Sequence, residues 1–474
     1  MPPPSRTHRS ALAAIVLVAI LAVEPHPVRA QAESDAIIDE IRAMLGGLGG
    51  AGEVDPQALV ESELPTVERL AGMKANAPIA VRMVSREEAI QHIANLIDAQ
   101  LPPPKLALIE ATYKALGFLP PDASLADEIT ALYGGQAGGF YDPVKKELVL
   151  LKDLPMMLQV AVVRHELVHA LQDQNHDLSA RIAEAQDDED RAAALQAVLE
   201  GHAVDVMNRA TLGSLGVISG ENGGLSPGLA AELMETLGIE DGDPAQAMKA
   251  ATAMLDPGAG SSGGALAGLL PQGLPVLTTQ LLFPYTTGTD FTAGYRATHP
   301  DDPACAALYR RIPRTTAEVL DPARWEAGTS APDFAESGTI LPGWELRHET
   351  SLGRLLVWVL LTNQADPSAG DPAGGRWMAG DYDRDVVLGS GWRGDRVALF
   401  GAPDSTPGTF MPGRYAVVWT SRWRDNAEAR AIASALRSRH EQATVVLTGD
   451  RVSAVFAGPA ALRTVMLDQL SLWK

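Results

Sequence analysis

Two histidines and a glutamate near the middle of the chain have a spacing that can bind and use a metal ion. His165, Glu166 and His169 form the pattern H-E-x-x-H inside a segment whose apolar periodicity predicts a helix. Residues four apart lie on one helix face, so both imidazoles can reach the same ion. Zn²⁺ suits this pair because it accepts neutral imidazole and carboxylate ligands in tetrahedral geometry. Glu166 is rotated by about 100° from His165, so we expect it to act as a general base on water.

A catalytic zinc site needs a third protein ligand and one open position. The metzincin pattern would require a histidine at position 175, where the chain has Asn175. Glu200 is embedded in the mostly small and apolar stretch LQAVLEGHA, and a charged group in such surroundings needs a partner, which a cation can provide. The sequence therefore predicts Glu200 as the third ligand, with Asp205 and His202 as alternatives. The alternative without a function is that the Glu200 side chain simply faces solvent.

The two predicted ligand segments are both helical in pattern. We predict helices over about 156–174 and 191–213, separated by an acidic loop at 184–190. Gly201 and Ala203 are small enough to let these two helices approach closely. A short apolar strand, 147–151, precedes the first helix.

The order of sequence blocks around the motif resembles the gluzincin group of HExxH zinc metallopeptidases. It is similar in particular to a group of secreted bacterial proteins assigned as metallopeptidases. The shared blocks are GGFYDP (138–143), HELVHALQDQ (165–174), EGxA (200–203), PYxxGxxF (284–291) and IPRTTAE (312–318). The strong part of the resemblance covers about 134–210, the part from 280 to 326 is weaker, and the N-terminal 130 residues add little.

The resemblance implies a zincin-like fold and hydrolysis of peptide bonds by metal-activated water. It implies zinc as the cofactor, His165, His169 and Glu200 as its ligands, and Glu166 as the catalytic base. The substrate would be a peptide or protein, and side-chain preference and endo- or exo-action stay open.

One departure from the gluzincin pattern concerns the residues that support the ligands. Well-studied gluzincins place Asn before the third-ligand Glu and an orienting Asp four residues after it, whereas this chain has Leu199 and Val204. A ligating imidazole needs a partner for its other nitrogen. Asp173 and Asp205 are the candidates for that partner.

Two further groups are candidates for contact with the substrate. The PYxxGxxF block suggests Tyr285 as the stabiliser of the oxyanion, with His202 as the alternative. The segment 138–141 could offer a strand edge to an extended substrate, with its glycines allowing close backbone approach. The alternative for these glycines is an ordinary turn.

The whole chain of 474 residues predicts an α+β, mainly α protein of several domains. The last 90 residues read as strands at 397–400, 415–420, 444–448 and 453–458 around a helix at 426–439, while 349–362 reads as a buried helix. The predicted division is a signal peptide (1–30), a helical N-terminal region (31–130), a zincin-like catalytic domain (131–345) and a C-terminal α/β module (346–474).

The N-terminus has the pattern of a secretion signal. Arg6 and Arg9 precede an apolar run over 11–23, and Val28-Arg29-Ala30 offers small residues for cleavage after Ala30. We expect a secreted or periplasmic protein. An uncleaved membrane anchor is the alternative.

The net charge and the cysteine content exclude several kinds of partner and binding site. A formal net charge of -21 makes nucleic acid and anionic membrane poor partners. Cys305 is the single cysteine, which excludes an intramolecular disulfide and a thiolate metal site built from several cysteines, and we expect it to be buried. The oligomeric state cannot be read from the sequence.

The alternative function is a non-catalytic secreted binding or scaffold protein with a structural metal site, although such a site has no use for Glu166. Hydrolysis of a non-peptide amide or ester is a third reading.

Overall fold

A computed structural model describes residues 55–134, 138–152, 154, 156–214, 218–219, 224–225, 274–329, 343–362, 391–403, 405 and 413–456. The signal peptide predicted for residues 1–30 lies outside these residues. So do three further helices that the apolar pattern of the sequence predicts, at 32–45, near 244–255 and after 458.

The N-terminal part combines helices with one strand. Its elements are α1 (Pro56–Ala71), β1 (Ala80–Val84), α2 (Arg86–Gln100), α3 (Pro103–Leu116) and α4 (Leu125–Gly134). Helix α1 begins at Asp55, whose carboxylate accepts a hydrogen bond from the Gln57 amide. It ends at Ala71, before Gly72 with its left-handed backbone (φ 66°), whereas the apolar pattern of the sequence predicts a helix over 56–74.

A small three-stranded sheet connects this region to the HExxH segment. Strands β2 (Gly139–Asp142) and β3 (Glu147–Leu151) form an antiparallel hairpin, and β1 pairs parallel with β3. The strand predicted at 147–151 is confirmed, whereas β1 was not predicted. The order β1-β3-β2 leaves β2 at the edge.

Three helices follow the hairpin: α5 (Met156–His176), α6 (Leu178–Ala185) and α7 (Glu189–Ser214). The two predicted helices are confirmed as α5 and α7, each slightly longer than expected. The predicted acidic loop is shorter, because α6 extends to Ala185 and α7 already begins at Glu189.

Short strands and helices lead from α7 toward the C-terminal part. They are β4 (Ile218–Ser219), β5 (Gly224–Leu225), α8 (Pro275–Leu282), α9 (Thr287–Thr298), α10 (Ala306–Arg310), α11 (Thr316–Leu320) and α12 (Pro322–Ala327). Helix α9 packs along α7 and so brings the PYxxGxxF block to the helices that carry the predicted ligands.

The C-terminal part is a five-stranded antiparallel sheet with two helices. Its elements are β6 (Glu345–Thr350), α13 (Gly353–Thr362), β7 (Trp392–Gly401), β8 (Tyr415–Trp423), α14 (Asn426–Arg439), β9 (Thr444–Thr448) and β10 (Arg451–Val455), in the sheet order β6-β7-β8-β10-β9. The predicted strands and the helix at 426–439 are confirmed with shifted ends. The helix predicted at 349–362 was wrong in its first residues, which belong to β6; the left-handed Gly353 (φ 69°) starts the helix instead.

The protein is therefore α+β, with buried apolar clusters that join distant parts of the chain. One cluster packs α1, the small sheet, α5 and α7 together; another packs α3 and α4 against the five-stranded sheet and α13. Among the described residues, the helices are too short or too polar to cross a membrane.

Candidate metal centre

The side chains of His165, His169 and Glu200 meet in the buried space between α5 and α7. His165 Nε2 and His169 Nε2 lie 3.1 and 3.2 Å from Glu200 Oε2, and the two nitrogens lie 3.0 Å apart. A tetrahedral zinc ion with bonds of about 2.0–2.1 Å has ligand atoms about 3.3 Å apart. The three atoms therefore have nearly the spacing of three corners of such a site. In the part of the chain that the structure describes, this is the group of acidic, histidine or cysteine residues that could hold a metal ion.

The chemistry of this donor set also fits a cation. Burial opposes ionisation of Glu200, but the two imidazoles outweigh it and lower the pKa of Glu200 to about 2. Burial likewise disfavours a charged His169, but the Glu200 carboxylate raises the pKa of His169 to about 9. The surroundings thus favour an ionised carboxylate with a positive charge beside it, which a bound divalent cation would supply together with bonds to all three atoms.

Glu166 lies on the same helix but faces the small sheet. Its carboxylate accepts a hydrogen bond from the backbone N–H of Tyr141 in β2. Burial, with a smaller contribution from Glu200, raises the pKa of Glu166 above its ordinary value, although the neighbouring imidazoles oppose this. A carboxylate with a raised pKa takes up a proton more readily than one with its ordinary pKa, as a general base must.

The edge strand β2 presents backbone groups beside Glu166. Gly138 accepts a hydrogen bond from Leu151 at 3.1 Å, so residues 138, 140 and 142 face β3. Gly139 and Tyr141 consequently direct their backbone groups away from β3, and the Tyr141 N–H reaches Glu166. A Cβ on Gly139 would lie 2.8 Å from Val162 Cγ1 and 2.7 Å from the Val149 carbonyl, so a side chain there would push β2 away from α5.

Arg164 fixes the helix turn that carries His165. Its guanidinium donates to Glu63 of α1 at 2.7 Å and to Thr211 and Ser214 of α7 at 3.1 and 3.3 Å. Because these partners belong to two other helices, the rotation of α5 about its axis is fixed next to the first histidine.

Gly201 allows a close approach between two helices, but its partner helix is not the predicted one. A Cβ on Gly201 would lie 2.1 Å from the Gly288 carbonyl oxygen, and a Cβ on Gly288 would lie 2.4 Å from the Ala197 oxygen. Gly201 therefore brings α7 against α9 and not against α5. Ala203 does pack in the cluster between α5 and α7.

The α7–α9 contact places Tyr285, three residues before Gly288, beside the metal centre. The Tyr285 ring lies 6.3 Å from the His165 ring, centroid to centroid, with 21° between their planes. Its predicted role with an oxyanion stays a prediction.

The partner of His169 is Gln172, which sequence reasoning missed. His169 Nδ1 donates to Gln172 Oε1 at 2.9 Å. Asp173 and Asp205, predicted for this role, were wrong: Asp173 accepts from Tyr141 and Lys146, and Asp205 pairs with two arginines. The available signal was a glutamine three residues after His169, on the same helix face.

The alternative ligands lie outside the group. His202 directs Nδ1 to the Tyr309 hydroxyl at 2.8 Å, and burial lowers the pKa of His202 to about 4. Asp205 is held by Arg209 and Arg296 at 3.0–3.1 Å. Cys305 is buried, as expected, and burial raises the pKa of its thiol to about 12.

Comparison with known proteins reaches the C-terminal part alone. The model of a domain of unknown function (DUF8575) matches residues 344–465, which contain all five strands of the C-terminal sheet and leave out the candidate metal centre. No curated protein and no solved structure matches the chain.

Proposed function

We propose that the protein is a secreted zinc-dependent metallopeptidase with a zincin-like catalytic core. The observation that carries the proposal is the convergence of His165, His169 and Glu200 within 3.2 Å of one another, with Glu166 next to His165 on the same helix. A structural zinc site is normally closed by four protein ligands, whereas three protein ligands with a neighbouring carboxylate are typical of a catalytic one.

A zinc ion bound there would polarise the scissile carbonyl and lower the pKa of the attacking water. Glu166 accepts the proton of that water on its carboxylate and delivers it to the nitrogen of the leaving amine. The Tyr141 N–H, which donates to Glu166, holds this carboxylate against β2.

The substrate peptide lies extended along β2. The backbone groups of Gly139 and the carbonyl of Tyr141, which point away from β3, hydrogen-bond to it as an added strand, while the Tyr141 N–H stays with Glu166. Such main-chain bonds align a peptide without selecting side chains. Tyr285, whose ring lies beside that of His165, donates its hydroxyl proton to the oxygen that becomes negative during attack.

The test compares Glu166→Gln with the wild type in two assays. We expect both proteins to bind one zinc ion in a titration against a chromogenic chelator, because Glu166 is not a ligand. We expect Glu166→Gln to hydrolyse a mixture of unstructured peptides at least about 100-fold more slowly, because the amide cannot accept the proton. Glu184→Gln, which changes an exposed glutamate on α6 in the same way, is the matched control and should leave both readouts unchanged.

Each other result has a defined meaning. A wild type that binds no stoichiometric zinc would overturn the metal site. Zinc binding without cleavage of any peptide would favour the scaffold function or an ester or amide substrate. Equal turnover by Glu166→Gln and wild type would remove Glu166 from the reaction.

Export and cleavage after Ala30 belong to the same proposal. N-terminal sequencing of the protein recovered from the culture medium or periplasm should begin at Gln31. A mature protein that keeps residues 11–23 would indicate an anchor instead.

A further inference from the structure

A buried chain of hydrogen bonds leads away from His169. It runs from His169 through Gln172 and Tyr309 to His202, with donor–acceptor distances of 2.8–2.9 Å. The side chains come from α5, α10 and α7, and all four residues are buried. None of the four was assigned this role from the sequence, and the proposed chemistry does not use Gln172, Tyr309 or His202.

The orientation of the Gln172 amide is fixed by a backbone carbonyl. Gln172 Nε2 donates to the Leu199 carbonyl at 2.9 Å and to the Tyr309 hydroxyl at 2.8 Å. The reversed amide would place its oxygen against the Leu199 oxygen, which has no proton to donate. Gln172 Oε1 must therefore face His169 Nδ1.

This orientation determines the tautomer of His169. Gln172 Oε1 is an acceptor, so His169 Nδ1 carries a proton whether the ring is neutral or charged, and Nε2 is the nitrogen whose lone pair is left for a cation. Nε2 is the atom that lies 3.2 Å from Glu200 Oε2. The glutamine thus turns Nε2 of His169, and not Nδ1, toward the candidate metal centre.

The same amide couples the two ligand helices. Leu199 directly precedes Glu200 in α7, so one side chain holds the His169 ring on α5 and the backbone beside the carboxylate ligand. Tyr309 accepts the second Gln172 proton and donates its own to His202 Nδ1, two residues after Glu200. These bonds join α5, α10 and α7 around the metal centre.

We infer that Gln172, held by Tyr309, is a positioning residue that sets the tautomer of His169 and its distance from Glu200, and thereby the affinity of the site for zinc. The inference rests on the proposed function, because it assigns the ion of that same centre. Partners of this kind typically change metal affinity by about 10–100-fold.

The test measures zinc dissociation constants by competition with a chromogenic chelator, together with melting temperatures of the metal-free proteins. Gln172→Met removes the acceptor and both donors, and we expect zinc to bind about 10–100-fold more weakly. Gln172→Glu keeps an acceptor for His169 Nδ1 but gives Leu199 no donor. We expect it to bind zinc within a few-fold of the wild type, as carboxylate–histidine pairs do, and to melt at a lower temperature.

A third variant and two controls separate positioning from general damage. Tyr309→Phe leaves one Gln172 proton without its acceptor, and we expect zinc to bind about three- to tenfold more weakly. Gln159→Met makes the same change elsewhere on α5, where the side chain donates to the Leu154 carbonyl. Tyr295→Phe removes another largely buried tyrosine hydroxyl, which donates to Asp302. Both controls should keep the zinc affinity of the wild type.

The outcomes distinguish this inference from the proposed function. A wild type without stoichiometric zinc overturns both. If the wild type binds zinc and folded Gln172→Met binds it equally well, the inference alone is wrong. The same holds if Gln172→Glu binds as weakly as Gln172→Met, because the acceptor at His169 would then not matter. Should Gln172→Met fail to fold, Gln172→Glu and Tyr309→Phe decide by the same criteria.

Discussion

Gly201→Ala should destabilise the protein even though it replaces glycine inside a helix. The new Cβ would lie 2.1 Å from the oxygen and 2.2 Å from the carbonyl carbon of Gly288, and 2.7 Å from the Thr289 nitrogen. All three atoms are backbone, so no side-chain rotation can relieve the contact. The first turn of α9 must move away from α7 by more than about 1 Å to reach ordinary van der Waals separation.

Two opposing effects set the size of the change. Alanine in a helix interior is favoured over glycine by about 1 kcal/mol. Overpacking in a well-packed interior costs about 1–3 kcal/mol and occasionally more, and contact with backbone on both atoms of one carbonyl favours the upper end. The net expectation is a loss of about 2 kcal/mol in the free energy of unfolding, or roughly 4–8 °C in melting temperature for a unit of 150–250 residues.

The assay is thermal unfolding of the metal-free protein followed by circular dichroism. Gly213→Ala on α7 and Gly294→Ala on α9 are matched controls, because a Cβ at either position meets no atom within 4 Å. Both should melt at the temperature of the wild type or slightly above it. A Gly201→Ala protein that also melts at or above the wild type would refute the α7–α9 contact, and with it the placement of Tyr285 beside His165.

Three further outcomes follow from the same contacts. Removing zinc with a chelator should lower the melting temperature, because an ion present at 1,000 times its dissociation constant contributes about 4 kcal/mol to the free energy of unfolding. Asp205→Asn should destabilise the protein by about 3–5 kcal/mol in chemical denaturation, since the partly buried Arg209 and Arg296 lose their counter-charge. Burial lowers the pKa of His348 to about 4, against about 6.5 when unfolded, so the unfolded chain binds more protons and stability falls as pH drops from 6.5 toward 4. His348→Gln should make stability less dependent on pH in that window.

Each of these expectations has its own control. A melting temperature that is the same with and without chelator would mean that no ion stabilises the native state. Asp187→Asn, which removes an exposed partner of Lys105, should cost far less than Asp205→Asn, and equal losses would contradict the burial argument. A His348→Gln protein with the acid sensitivity of the wild type would place the responsible group elsewhere.

Local pattern was enough to predict the principal elements. The apolar periodicity of α5 and α7 and the short apolar runs of β7, β8, β9 and β10 depend on neighbours in the chain, so the sequence indicated them directly. Strand β1 was not predicted because its five residues, which lie between two helices, show no clear strand pattern. Their pairing partner β3 lies more than 60 residues away in the chain. The misassigned start of α13 has a similar cause: Glu345–Thr350 becomes a strand through pairing with β7.

The residues of the candidate site also differ in how well the sequence predicts them. The sequence by itself supplied His165, Glu166 and His169, because a spacing of four on a helix fixes which side chains share a face. It indicated Glu200 only through its apolar surroundings, and it misassigned the partner of His169. The partner of a buried imidazole depends on the rotation and packing of its helix, which the local sequence does not determine.

Tertiary packing supplied the remaining geometry. The backbone contact between Gly201 and Gly288 sets how closely α9 approaches, and the Leu199 carbonyl sets how Gln172 turns. Neither contact can be recognised from a local sequence pattern, since each joins residues 27 or more positions apart. The sequence therefore determined which groups could bind a metal ion, and the folded chain decided how they are held.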